Sequence, residues 1–276
     1  MKKEVYYMKI KVLMDNLPAV NLLNEWGLSI YIEYGDKKIL LDTGASAGFS
    51  HNARVAGVDL SQVDVAVLSH AHYDHSDGMD AFFEENQKAF MLLRSSCKEN
   101  CYSNKEGEME YIGIHKGWLE KFKSRIKYVD GIYEICKGVT LVPHLFDMTE
   151  PGKKAQMFTM ENDLFFPELF AHEQSLVFET EKGLVIFNSC SHGGADNIIR
   201  EVQKEYNGAP IYAIIGGFHL YKTSPEDVEK FANRVEATGI QMVITGHCTG
   251  DEAYPILQRV LGDKVSQMYS GAEYDI

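Results

Sequence analysis

The chain has 276 residues, 45% hydrophobic and 24% charged, with 23 Gly and 7 Pro, a make-up that excludes low complexity, collagen-like repeats and general disorder. It is long enough to bury a self-sufficient core as one large domain or two small ones. Lys and Arg number 27 against 40 Asp and Glu, and the resulting net charge of −13 works against phosphate backbones and anionic lipid.

No apolar run approaches the roughly 18–20 residues of a membrane span. Lys9 and Lys11 interrupt the apolar positions near the N-terminus, so residues 8–14 read as a strand and not as the core of a secretion signal. The 5 cysteines are odd in number and lack framework spacing, which points to a reducing cytoplasm. Cys97 and Cys101 can pair under oxidation, but two surface thiols are the simpler expectation.

Taken in chain order, residues 28–34 and 38–42 read as a hairpin around Gly35-Asp36-Lys37. Residues 63–69 are almost continuously apolar, the mark of a strand buried on both faces. A helix over 79–87, a strand over 90–93 and an amphipathic helix over 115–126 follow. Residues 175–180 and 184–188 form a second hairpin, followed by a helix over 196–206 and a buried strand over 211–215. Ser224, with Pro225 behind it, caps a helix to 237. A strand over 242–245 and a helix over 252–261 complete the pattern.

Residues 29–46 align without a gap on residues 175–192, at an offset of 146. A helix and a buried strand follow each copy, so a β-β-α-β unit is duplicated. Two such units predict two mixed sheets between outer helix layers. Residues 94–172 lie between the halves and read as a lid or inserted subregion. Their aromatic-rich part includes Phe165, Phe166, Leu169 and Phe170, an apolar face expected either over the site, lining a substrate pocket, or against a second subunit as a homodimer contact.

The chemistry concentrates in His70-Ala71-His72-Tyr73-Asp74-His75, immediately after the buried strand. In an extended strand end His70 and His72 face the same side and can share one metal ion. Asp74 and His75 fall past the strand and face them, placed for a second ion. This pattern, together with Leu40-Leu41-Asp42-Thr43-Gly44, with His192 in Cys190-Ser191-His192-Gly193-Gly194 and with His247 in Gly246-His247-Cys248-Thr249-Gly250, resembles the metallo-β-lactamase superfamily over essentially the whole chain. The wording SHAHYDHSDGM, CSHGG, IIGGFHL and GHCTG is similar to its 7,8-dihydropterin-6-methyl-4-(β-D-ribofuranosyl)aminobenzene-5′-phosphate synthase-like subgroup.

The resemblance implies an αββα sandwich with one or two metals at the strand ends, held by His70, His72, Asp74, His75, His192 and His247. The family's fourth motif usually supplies an acid, whereas here the strand over 211–215 runs into Gly216-Gly217-Phe218-His219. The duplication superposes His72 on His219, which is therefore expected to point into the site. Cys190 and Cys248 read as small buried residues in preference to thiolate ligands. Asp42 is expected to accept an N–H from a metal-bound histidine, and Asp74 to act as both ligand and proton acceptor. Asp15 and Asn16 either orient substrate or make an Asx-turn. Gly193 and Gly194 open a helix whose N–H groups can receive an anionic group. Tyr73 either donates to a developing oxyanion or packs, and packing is the expectation.

These assignments imply a metal-dependent hydrolase, or a pterin-related synthase or transferase, acting on a small anionic metabolite with two zinc ions; iron and manganese are the alternative metals. A di-iron oxidoreductase on the same scaffold, a nuclease and an inactive binding module are the competing classes. The first is weakened by the missing carboxylate, the second by the acidic charge, the third by the full ligand set.

Overall fold

The computed structural model describes residues 7–144 and 157–276; residues 145–156, part of the expected lid, and residues 1–6 lie outside the described residues. The first half contains β1 (Met8–Met14), β2 (Ser29–Tyr34), β3 (Lys37–Leu41), α1 (Gly48–Val55), β4 (Val65–Val67), α2 (Tyr73–Ser76), α3 (Met79–Glu85) and β5 (Phe90–Arg94). The middle contains β6 (Cys101–Lys105), β7 (Glu108–Tyr111), α4 (Trp118–Lys121), β8 (Ile126–Val129), β9 (Tyr133–Cys136), β10 (Val139–Pro143), β11 (Met157–Glu161) and β12 (Leu164–Pro167). The second half contains β13 (Gln174–Thr180), β14 (Gly183–Phe187), α5 (Ala195–Glu205), β15 (Ile211–Gly216), α6 (Pro225–Glu236), β16 (Met242–Thr245), α7 (Ala253–Leu261), β17 (Val265–Gln267) and β18 (Glu273–Asp275).

Two mixed sheets, ordered β18-β1-β2-β3-β4-β5-β8 and β17-β16-β15-β14-β13-β10-β9, face one another. Strand alternation decides which residues fill the space between them. Ile30, Ile32, Ile39 and Leu41 of the first sheet meet Leu176, Phe178, Val185 and Phe187 of the second in one buried cluster. The opposite faces carry the helices. Leu40, Ala66 and Met91 pack with Phe49 of α1 and Phe82 of α3, while Ile186 and Ile214 pack with Ile198 of α5, Phe231 of α6 and Leu257 of α7. The expected αββα sandwich is therefore present.

The duplication extends to strand register. Ile30 pairs with Leu41 and Ile32 with Ile39, and the residues 146 further on repeat both pairings, Leu176 with Phe187 and Phe178 with Val185. A parallel strand then joins each hairpin, with Leu41 opposite Val67 and Phe187 opposite Ile215.

The middle segment departs from expectation. β8 extends the first sheet and β10 the second, so part of the expected lid is built into the sandwich; β12, β11, β6 and β7 form a separate sheet. The helix expected over 115–126 shrinks to the single turn of α4, because Gly117 enters it at φ 88° and β8 begins at Ile126. Cys97 and Cys101 are buried, not on the surface, and both are free thiols. Ser224 caps α6 as expected, accepting the Asp227 N–H.

Candidate metal centre

The C-terminal ends of β4, β14, β15 and β16 all deliver side chains to one point. After β4 the chain bends at His70 and Ala71, and His72, in extended backbone, leads into α2; the His70 and His72 rings stand with centroids 4.6 Å apart. His75, one turn into α2, comes back to 4.2 Å from His70. His192 lies 5.0 Å from His70 and 5.1 Å from His72, His219 lies 4.5 Å from His192, and His247 lies 4.9 Å from His75. Asp74 Oδ2 is 3.7 Å from His75 Nε2 and 3.4 Å from His247 Nε2. Asp42, Ser191, His219 and His247 all hold positive φ between 44° and 59°, left-handed backbone that is costly for non-glycine residues and common at functional sites.

Three of the histidines are aimed by a partner on the other nitrogen. Asp42 is fully buried; Oδ2 accepts from His75 Nδ1 at 2.8 Å and from Ser69 Oγ at 2.7 Å, and Oδ1 accepts the Ser69 N–H at 2.7 Å. Since Ser69 gives its only hydroxyl proton to Asp42, its oxygen accepts from His70 Nδ1 at 2.8 Å. Both rings therefore turn a lone pair on Nε2 toward the centre. Asn16 Oδ1 accepts from His247 Nδ1 at 3.1 Å, which turns Nε2 toward Asp74.

Asp15 and Asn16 were expected either to orient substrate or to make an Asx-turn; Asp15 makes the turn, whereas the Asn16 side chain bonds His247 and Gly27. Asp15 Oδ1 accepts the Leu17 N–H at 3.0 Å, and Oδ2 accepts the His247 N–H at 2.9 Å. Asp15 is fully buried, so it braces His247 and is out of a substrate's reach. Asp42 is likewise a positioning residue, because no part of it reaches the open side of the site. Gly193 and Gly194 are half-buried beside His192 at the start of α5, where Gly194 takes φ 86°.

The residues of the expected aromatic face divide between the surface and the histidines. Phe165 and Phe166 are 42% and 47% exposed on β12, where Phe165 meets Tyr102, and neither touches the histidines. Phe170 does: it lies flat on His192, centroids 4.2 Å apart and planes 14° apart. Tyr73 is half-buried, and beyond it the β6–β7 side opens a cavity of about 590 Å³ lined also by Lys105, Tyr111 and Lys116.

His172 and Glu173 escaped sequence reasoning. His172 Nδ1 accepts the Ala71 N–H at 3.2 Å, pinning the residue between His70 and His72, and Glu173 Oε1 accepts the His192 N–H at 3.3 Å. No spacing signal marked them, since the contact between His172 and Ala71 spans 101 residues. Cys190 is buried as expected, but its Sγ stands 3.2 Å from His75 Nε2 and 3.4 Å from Cys248 Sγ, inside the cluster.

Burial pushes the His72 imidazole down to about 3, and burial together with the surrounding histidines holds His70 and His192 well below their usual range. All three are neutral near pH 7, with lone pairs free. Burial works against charge on Asp74 and His247 too, yet His75 and His247 hold Asp74 below the carboxylate range. Cys248, Asp74 and Asp15 lift His247 to about 9.

A metal ion fits this donor set. His70, His72, His192 and His247 Nε2 and His219 Nδ1 are buried with no hydrogen-bond partner. Five such orphans in one place are costly unless a cation uses their lone pairs. Sets of three donors, including His70 with His72 and His192, lie within 4.8 Å of one another.

The fold is that of the metallo-β-lactamase superfamily. Its sequence model matches residues 27–89. A solved structure described as Tm1679, a metal-dependent hydrolase of the β-lactamase superfamily, superposes with TM-score 0.83 at 31% identity, covering 98% of this chain and 99% of that one. The chain belongs to that superfamily. It is also 25% identical, over 95% of each chain, to the 7,8-dihydropterin-6-methyl-4-(β-D-ribofuranosyl)-aminobenzene-5′-phosphate synthase of Methanocaldococcus jannaschii. The metallo-β-lactamase fold protein YhfI of Bacillus subtilis shares the fold at TM-score 0.59 and 14% identity, covering 98% of this chain and all of that one. Among the described residues no helix is long and apolar enough to cross a membrane.

Proposed function

We propose that the chain is a hydrolase, or a related pterin-type synthase, that uses two zinc ions and acts on a small anionic metabolite in the cytoplasm. The observation that carries this is the convergence of five unpartnered, buried imidazole nitrogens on one point beside Asp74. His70, His72 and His192 would hold one ion, and Asp74, His75 and His247 the other, with His219 beside His192. Nitrogen-rich donors of this kind suit zinc. The ions, when bound, supply Lewis acidity toward a substrate oxygen and make water a stronger acid.

The protein's own groups do the rest. Asp42 and Ser69 hold His75 and His70 in the tautomer that offers a lone pair, and Asn16 orients the His247 ring. Asp74 stays ionised and is the proton acceptor nearest the centre. The Phe170 ring on His192 forms an apolar wall for a flat substrate ring, and it excludes water from that side. Lys116 lines the cavity beyond Tyr73, together with Asp77 and with Lys105, which is paired with Glu110; among the described residues Lys116 is the cation there available to an anionic group. A pterin-related substrate is supported by the named archaeal relative. The reducing compartment is supported by the 5 free thiols.

Elemental analysis of protein purified without chelator, followed by a phosphoester, phosphodiester and lactone panel, tests this. One to two equivalents of zinc and an activity that chelator abolishes are expected. Full activity in metal-free protein overturns it.

A further inference from the structure

The second-ion half of the centre is short of negative charge. β15 runs out in Gly216 and Gly217, where the superfamily usually places an acid, and Asp74 is the carboxylate that reaches His75 and His247. Sulfur occupies the space instead. Cys190 Sγ is common to three donor sets whose atoms lie within 4.8 Å: with His70 and His75, with His192 and His219, and with His247 and Cys248. Tetrahedral donors at zinc distances stand about 3.4–3.8 Å apart. The separations here, 3.2 Å from Cys190 Sγ to His75 Nε2 and 3.4 Å to Cys248 Sγ, are only a few tenths shorter.

The neighbours keep this space for sulfur. His75 gives its Nδ1 proton to Asp42, so in the metal-free protein its Nε2 accepts the Cys190 S–H. Cys248 Sγ accepts the His219 N–H at 3.3 Å and sits behind Cys190. A Cβ on Gly217 would come within 2.5 Å of Cys248 Sγ and 2.8 Å of the Ser189 carbonyl, so a side chain at that position has no room.

We propose that Cys190 is a sulfur ligand of the second metal ion, filling the place of the missing carboxylate, with Cys248 as the thiol that supports it. This rests on the metal-centre reading above. Binding replaces the S–H proton with the metal: the S–H bond breaks, a sulfur–metal bond forms from the same electron pair, and one proton leaves to solvent. A soft donor here also favours zinc, cobalt and cadmium over manganese and magnesium.

The test uses the full chain, reduced and freed of metal, titrated with cobalt(II). The second equivalent brings an intense near-ultraviolet thiolate-to-cobalt charge-transfer band in the native protein. Cys190→Ser loses that band while still taking the first equivalent, and Cys248→Ser keeps it. Circular dichroism checks the fold of each variant, and cadmium NMR of the unmutated protein, which reports sulfur ligation by a downfield shift, decides the matter if Cys190→Ser does not fold. Two cobalt ions bound without the band, a band that survives Cys190→Ser, or a band lost only in Cys248→Ser overturns the proposal and leaves the metal centre standing. No cobalt bound at all removes the metal centre, and this ligand with it.

Discussion

Asp42 and His75, 33 positions apart in the chain, are joined by a 2.8 Å hydrogen bond between Oδ2 and Nδ1, and neither side chain is exposed to solvent. The bond fixes which nitrogen of His75 faces the centre, and through Ser69 the same carboxylate fixes His70. The duplicate position is Asn188, whose Oδ1 accepts the Ser191 N–H at 2.6 Å and so shapes the loop that carries His192. One hairpin position thus braces a histidine loop in each half, with a charge only where a ring must be held by its N–H.

Asp42→Asn is therefore expected to weaken metal binding without losing the fold. An amide offers His75 and Ser69 a weaker acceptor and can present its NH₂ instead. Outer partners of this kind are worth about 10–100-fold in metal affinity. Competition against a chelator is expected to show a loss of that size in the Asp42→Asn protein. Unchanged affinity would mean that the ring is held by packing.

His219→Ala is expected to lower the metal content as His75→Ala does, because His219 Nδ1 is a buried orphan beside His192. Elemental analysis of the folded variants checks it. Full metal content together with poor solubility would make His219 a packing residue.

Phe170→Ala is expected to raise KM several-fold and leave metal content unchanged, since its ring covers His192 but offers no ligand atom. The Phe165→Ser, Phe166→Ser pair, on exposed β12 positions, is expected to change KM less. Steady-state kinetics with light scattering separate the two roles. A change in mass alone in the double variant would make β12 a contact between subunits.

The metal-free protein is expected to be most stable near neutral pH. His70, His72 and His192 stay neutral when folded, so below about pH 6.5 the unfolded chain binds protons that the folded one refuses. Each then costs about 1.4 kcal/mol per pH unit as the pH falls. Asp15 and Asp77, both raised to about 6 by burial, and Glu173, also raised by burial, oppose this below about pH 6 and flatten the acid limb toward pH 4. His247, lifted to about 9, contributes fully below its unfolded pKa, and that contribution is lost as the pH rises through 9. Thermal melts from pH 5 to 9 check the shape; a midpoint that climbs steadily to pH 9 contradicts the His247 assignment.

Gly78→Ala is expected to destabilise by about 3 kcal/mol, because a Cβ there would stand 2.0 Å from the Thr43 carbonyl and 2.7 Å from that of Ser46. Backbone cannot yield as a side chain does. A chemical denaturation midpoint near that of the parent protein would show that the Thr43–Ser46 loop moves freely.

Local pattern carries the parts of this protein that depend on neighbours in the chain. Strand alternation sorts Ile30, Ile32, Ile39 and Leu41 to one face, the offset of 146 predicts a repeat that strand register then follows, and the spacing from His70 to His75 brings four donors together. Those depend on period and reach, which a sequence displays directly. Tertiary structure alone decides the rest: Asp15 turned inward onto His247, Phe170 and not Phe165 laid on His192, His172 pinning Ala71, and Cys190 placed against His75. Each of these is a contact between distant segments, and its existence depends on how two sheets and a third small one are set against each other. A sequence records which groups can bond, but the distance between strand ends determines which of them do.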